Sequence, residues 1–95
     1  MPRTVSFRRQ EVSSEVIQIV PYNEVRTTLL IRVESGGPCY VSNDSKDVQD
    51  KGYPLNTGEY ISFLRRDGDI PEFELFGVAP TTPAVLKIIE GYGEV

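Results

Sequence analysis

The chain has 95 residues, of which 39% are hydrophobic and 25% charged, a composition that suits one small globular domain. It contains no histidine and a single cysteine, which excludes a Ser-His-Asp triad, a histidine metal site and an internal disulfide. The net charge of −4 has the wrong sign for a general nucleic-acid binder, and no apolar run approaches the ~18 residues of a membrane span. We therefore expect neither nucleic acid nor a membrane among the partners.

The first ten residues carry a local excess of positive charge. Arg3, Arg8 and Arg9 are their only ionisable side chains, and all 14 acidic residues lie further along the chain. Such a segment is either an arm that docks on an acidic protein surface or an edge strand whose arginines prevent pairing with other chains. We accordingly divide the chain into an N-terminal arm or edge strand, residues 1–14, and a single β-sandwich domain, residues 15–95.

Apolar residues recur at every second position, which is the period of strands. The clearest case is 28–34, where Leu29, Ile31 and Val33 share one face. On the same grounds we predict strands at 4–10, 15–20, 39–42, 60–64, 72–78 and 84–90, separated by Gly- and Pro-containing turns and by a polar loop at 43–53. The pattern predicts an all-β fold: a small antiparallel β-sandwich or jelly-roll-like barrel of about seven strands.

The residues that could take part in catalysis or bind a metal do not form a recognisable pattern. Asp44, Asp47 and Asp50 recur every third residue, whereas an EF-hand loop places its acidic ligands at every second position and ends on glutamate. Cys39 has no histidine to activate it and is expected to be a small buried side chain. We therefore predict no catalytic residues, no metal and no cofactor, and do not expect an enzyme.

Four aromatic residues are candidates for a self-association surface. A domain of this size buries only somewhat over ~60% of its unfolded surface, so that association would stabilise it. Aromatic side chains are enriched at such interfaces, and the predicted oligomer interface consists of Tyr22, Tyr60, Phe76 and Tyr92. The alternative is that these side chains cover the ends of the sandwich.

From Tyr22 onward the order of features resembles a family of small β-sandwich virion proteins of tailed phages, which includes capsid decoration (cement) proteins. The resemblance consists of a polar segment before an apolar strand, two glycine turns, and two closing strands. The residues that carry it are Asn23, Arg26, Leu29, Leu30, Ile31, Gly36, Gly37, Pro38, Tyr40, Val41, Ser42, Gly52, Leu55, Gly58, Glu59, Ile61, Phe63, Phe76, Gly77, Val78, Ala79 and 84–90.

The resemblance implies a non-enzymatic decoration protein that oligomerises, with a trimer favoured, and binds the major capsid protein on the outside of the shell. Arg3, Arg8 and Arg9 would then contact the capsid. It also implies a location in the virion after synthesis in the bacterial cytoplasm, which agrees with the low cysteine count and the lack of a secretory signal. The alternatives are a tail, neck or fibre component and a host-glycan-binding module that uses Tyr40, Tyr53 and Tyr60.

Overall fold

Eight strands form two four-stranded antiparallel sheets in the computed structural model, which describes residues 4–65, 68 and 70–93. The strands are Thr4–Val12 (β1), Ile17–Val20 (β2), Arg26–Ser35 (β3), Cys39–Ser42 (β4), Tyr53–Leu55 (β5), Tyr60–Leu64 (β6), Leu75–Val78 (β7) and Ala84–Tyr92 (β8). One helical turn, Val48–Lys51 (α1), lies between β4 and β5.

Sheet A has the strand order β1-β8-β3-β6 and sheet B the order β2-β7-β4-β5. Successive strands alternate between the sheets except for the β4–β5 hairpin, which is the connectivity of a jelly roll. The prediction of an all-β antiparallel sandwich or jelly-roll-like barrel is therefore confirmed. Jelly rolls occur in viral capsids, lectins and cupins, so that the fold by itself assigns no function.

The structure differs from the predicted strands at two places. β5 and α1 lie inside a stretch predicted as loop and turn, because a three-residue strand that contains Pro54 is too short to show alternation. Proline is compatible with this position because β5 is the edge of sheet B. The strand predicted at 72–78 begins only at Leu75, since the backbone carbonyl of Glu72 accepts a hydrogen bond from the Asn23 amide (2.9 Å) outside any sheet ladder.

The core lies between the sheets and is built from the inward-facing residues of both. Sheet A contributes Val12, Leu29, Ile31, Val33, Ala84, Leu86 and Ile88, and sheet B contributes Ile19, Val20, Cys39, Val41, Leu55 and Leu75. Cys39 is fully buried, as predicted, and burial raises the pKa of its thiol to about 11, which keeps the thiol protonated near neutral pH. The thiol is thus part of the packing.

β1 pairs with β8 along its whole length, from Thr4 opposite Tyr92 to Val12 opposite Ala84. It forms one edge of sheet A. The division of the chain at residue 14 stays a prediction. Among the described residues, no helix is long and apolar enough to cross a membrane.

Candidate ligand-binding site

A cavity of about 370 Å³ opens between the two sheets on the side where β6 and β5 form their edges. Strand registration creates its apolar floor: Phe63 lies opposite Leu29, and Ile61 lies opposite Ile31. Because β5 has only three residues, the inner faces of Ile61 and Phe63 are covered only in part, and both side chains are half-buried. Val41 and Leu75 close the floor from sheet B.

Two apolar side chains of the β6–β7 loop, Ile70 and Phe73, also line the cavity although each is about half exposed. Arg65 holds this loop against the β2–β3 loop. Its guanidinium donates to the carbonyl oxygen of Glu24 (2.9 Å) and pairs with the carboxylate of Glu72 (2.9 Å). The loop is therefore positioned by polar contacts that leave its apolar side chains at the cavity.

The rim of the cavity is polar and consists of Ser42, Asn43, Lys51 and Tyr53. The Ser42 hydroxyl accepts a hydrogen bond from the Asp44 amide (3.1 Å), so that its own O–H can still donate. The Lys51 side chain is 77% exposed, and its ammonium nitrogen lies 3.8 Å from a carboxylate oxygen of Asp47. An apolar floor with a few polar groups at the entrance is the usual composition of a small-molecule site, and the volume lies at the lower end of the ~300–1,000 Å³ typical of such sites.

A separate group of polar side chains surrounds the buried Glu90 carboxylate among β1, β3 and β8. Arg26 is 0% exposed and its Nε lies 3.5 Å from Glu90 Oε2, while Arg8 Nε donates to Glu90 Oε1 (3.2 Å). Tyr92 donates its hydroxyl to the same carboxylate (2.9 Å), and both burial and the neighbouring Glu90 raise the pKa of this phenol. The guanidinium of Arg26 also donates to the Pro21 carbonyl. These contacts connect the three strands through the Glu90 carboxylate.

The structure gives different surroundings to the three arginines predicted as contact residues. Arg3 lies outside the described residues. Arg8 turns inward to Glu90 and to the carbonyl oxygen of Ile19, whereas Arg9 lies at the surface and pairs with Glu11 (2.9 Å). Their role as partner contacts stays a prediction.

The four predicted interface aromatics do not share one surface. Strand alternation places Tyr60 on the outer face of sheet A and Phe76 on the outer face of sheet B. Tyr22 is exposed in the β2–β3 loop, and Tyr92 is half-buried against Glu90. Their role in an interface stays a prediction.

The sequence pattern alone does not reveal the cavity. Alternation at 60–64 predicts a strand that contains Ile61 and Phe63, and the polar composition of 43–53 predicts a loop that contains Lys51. The available signal was the presence of Ile70 and Phe73 between charged residues, where solvated loops rarely place large apolar side chains. Among the described residues, no three His, Cys, Asp or Glu side chains are close enough together to hold a metal ion.

The fold of this chain is similar to that of a solved HTH_3 family transcriptional regulator from Vibrio cholerae. The TM-score is 0.65 at 18% sequence identity, over 95% of this chain and 44% of the regulator. The likeness at this identity concerns the fold alone, and the chain spans less than half the length of the regulator. Neither the protein-family models nor the curated protein sequences match this chain.

These findings correct the resemblance to phage virion proteins. The structure that matches is a transcriptional regulator, so the assignment as a capsid decoration protein was wrong, together with its tail-component and glycan-binding alternatives. The favoured trimer and the major capsid protein as partner are withdrawn with it. The motifs misled because they mark turns. Gly36 and Gly58 both have positive φ, a backbone conformation that favours glycine in a turn whatever the function of the protein.

The exclusion of nucleic acid as a partner was also wrong, because the fold is similar to that of a solved HTH_3 family transcriptional regulator. That exclusion depended on net charge, which is a property of the whole chain. The virion location depended on the phage resemblance, and no finding tests it.

Proposed function

We propose that this chain is a non-enzymatic domain that binds a small molecule and acts in transcription regulation. The observation that carries the proposal is the cavity between the sheets, with its apolar floor formed by Leu29, Ile61 and Phe63 and its polar rim. The fold likeness to an HTH_3 family regulator supports the regulatory setting.

The cavity suits a sensing role because its parts belong to both sheets. Leu29 and Phe63 lie in sheet A, and Val41 and Leu75 lie in sheet B. A bound molecule would contact all four and would therefore bias the spacing of the sheets and the position of the β6–β7 loop. A ligand shifts such an equilibrium only by the difference between its affinities for the two states.

The DNA-reading part of the proposed regulator lies outside this domain. A helix-turn-helix requires two helices joined by a short turn, whereas the described residues contain one helix, four residues long. The proposal places DNA reading in a helix-turn-helix of a neighbouring domain or partner chain. This domain would report the presence of the ligand to it.

The ligand-binding half of the proposal is tested by NMR titration of the ¹⁵N-labelled chain with a library of small metabolites. We expect at least one compound to shift the amides of Leu29, Ile61 and Phe63 together. The variant Ile61→Trp should fill the cavity and abolish these shifts. Its matched control is Ser62→Trp, because Ser62 is the next residue of β6 and lies on the exposed outer face. Compounds that shift only exposed residues, equally in both variants, would disprove binding in the cavity.

The regulatory half is tested in cells of the source organism. The tagged chain is crosslinked and recovered, and the DNA that accompanies it is sequenced. We expect discrete DNA regions to be enriched, and Ile61→Trp to alter the expression of the adjacent genes while Ser62→Trp leaves it unchanged. Recovery of no DNA above an untagged strain would disprove the regulatory setting.

A further inference from the structure

We propose that the ligand of the cavity is a small monoanion with an apolar body, such as an aliphatic or aromatic carboxylate; this inference rests on the proposed function. Lys51 is the one charged side chain among the described residues that line the cavity. Lys51 lies at the rim, beside a floor built from aliphatic and aromatic side chains.

The hydrogen-bonding groups of the rim favour an acceptor on the ligand. Lys51 offers N–H donors only, and the Ser42 hydroxyl already accepts from the Asp44 amide (3.1 Å), which leaves its O–H to donate. The side-chain amide of Asn43 can donate as well. A carboxylate accepts hydrogen bonds at both oxygens and would use these donors, whereas an ammonium group would find Lys51 repulsive.

The ion pair of Lys51 with Asp47 does not prevent Lys51 from contacting a ligand carboxylate. The distance of 3.8 Å between the Lys51 ammonium and Asp47 is too long for a hydrogen bond, and the two side chains are 77% and 48% exposed. Exposed pairs of this kind contribute little, so that exchanging Asp47 for a ligand carboxylate has a small cost. Asp47 and Asp50 line a separate groove with Ser14 and Val16 and do not line the cavity.

The floor determines the rest of the ligand. Leu29, Val41 and Leu75 are buried, and Phe63 is half-buried, so that a polar body would lose its hydration without gaining partners. A short alkyl chain or one aromatic ring satisfies both this floor and the volume of about 370 Å³.

The inference is tested with octanoate and octanamide, which share an alkyl chain and differ in charge. Dissociation constants for both are measured by NMR titration on the full chain, on Lys51→Gln and on Lys46→Gln. The second variant is the matched control, since Lys46 carries the same charge on the same connection but does not line the cavity. We expect octanoate to bind about 2- to 5-fold more tightly than octanamide, the range of a solvent-exposed ion pair. Lys51→Gln should reduce this ratio to about one, and Lys46→Gln should preserve it.

Each other result overturns the inference in a distinguishable way. Equal binding of the two probes would disprove recognition of a carboxylate and leave the cavity as a site for neutral molecules. A preference for octanoate that survives in Lys51→Gln would show that Lys51 does not recognise the carboxylate. Octanoate that shifts Phe7 and Ile89 instead of Leu29 and Ile61 places the contact on the outer face of sheet A. If neither probe binds, the inference fails, and the proposed function then depends on the metabolite titration and the Ile61→Trp variant.

Discussion

Arg26 Nε and Glu90 Oε2 face each other at 3.5 Å between β3 and β8, with the two residues 0% and 5% exposed. Arg8 approaches the same carboxylate from β1. One carboxylate thus accompanies two guanidinium groups and joins all three strands. Its removal would leave Arg26 as a buried charge without a counter-ion, which costs more than the pair contributes.

We therefore expect Glu90→Gln to lower the free energy of unfolding by about 3 kcal/mol. Glu11→Gln is the control, since Glu11 is an exposed carboxylate that also pairs with an arginine of β1, and its loss should change stability by less than about 0.5 kcal/mol. Urea unfolding followed by circular dichroism measures both. Equal effects of the two substitutions would show that burial of the Arg26–Glu90 pair has no energetic consequence.

The buried thiol of Cys39 makes stability depend on pH in the alkaline range. Burial raises the pKa of this thiol from 9.0 to about 11 in the folded chain. Between these values the unfolded chain loses a proton that the folded chain retains. The contribution of the thiol to the free energy of unfolding is therefore complete below pH 9 and is lost as pH rises towards 11. The slope from this one group is about 1.4 kcal/mol per pH unit.

Urea unfolding of the wild-type chain and of Cys39→Ala between pH 8 and 10.5 tests this contribution. We expect the wild type to lose stability with pH more steeply than the variant, by the slope of one proton. Tyr92 adds to the decline in both proteins, because the pKa of its phenol is raised in the same direction. Parallel curves for the two proteins would mean that the thiol does not titrate differently in the folded and unfolded states.

The fold was predictable because most strands show alternation over several residues, as Leu29, Ile31 and Val33 do in β3. The strand β5 escaped prediction because its pairing with β4 depends on tertiary contacts and not on its own pattern. The cavity escaped for a related reason: the sequence pattern marks Leu29, Val41 and Phe63 as ordinary core residues, and only the three-dimensional arrangement shows that they line a cavity beside the short strand β5. The phage resemblance failed because turn glycines report backbone geometry and not binding partners.

Two turn glycines differ in what surrounds them, which gives a paired prediction. Gly36 has φ +75°, and a Cβ at this position would lie 1.9 Å from the Pro83 carbonyl oxygen. Gly58 has φ +87°, but a Cβ there would meet nothing within 4 Å. Gly58→Ala should cost about 1 kcal/mol for the left-handed backbone alone.

Gly36→Ala adds a backbone collision to the same conformational cost, so that we expect a loss above about 3 kcal/mol or failure to fold. Thermal unfolding of the two variants, compared with the wild type, measures the difference. A loss for Gly36→Ala no larger than that for Gly58→Ala would indicate that the turn shifts away from Pro83 at little cost.

The last prediction distinguishes an edge strand from a detachable arm at the N-terminus. Val12 is 0% exposed and packs in the core, whereas Phe7, in the same strand, is 74% exposed on the outer face of sheet A. If β1 is an integral edge strand, Val12→Ala should lower stability by about 2 kcal/mol, because two buried methyl groups are lost, and Phe7→Ser should change it by less than about 0.5 kcal/mol. Hydrogen exchange of the β1 amides should then match that of β8. If β1 is a detachable arm, both substitutions would be neutral and its amides would exchange long before those of β8.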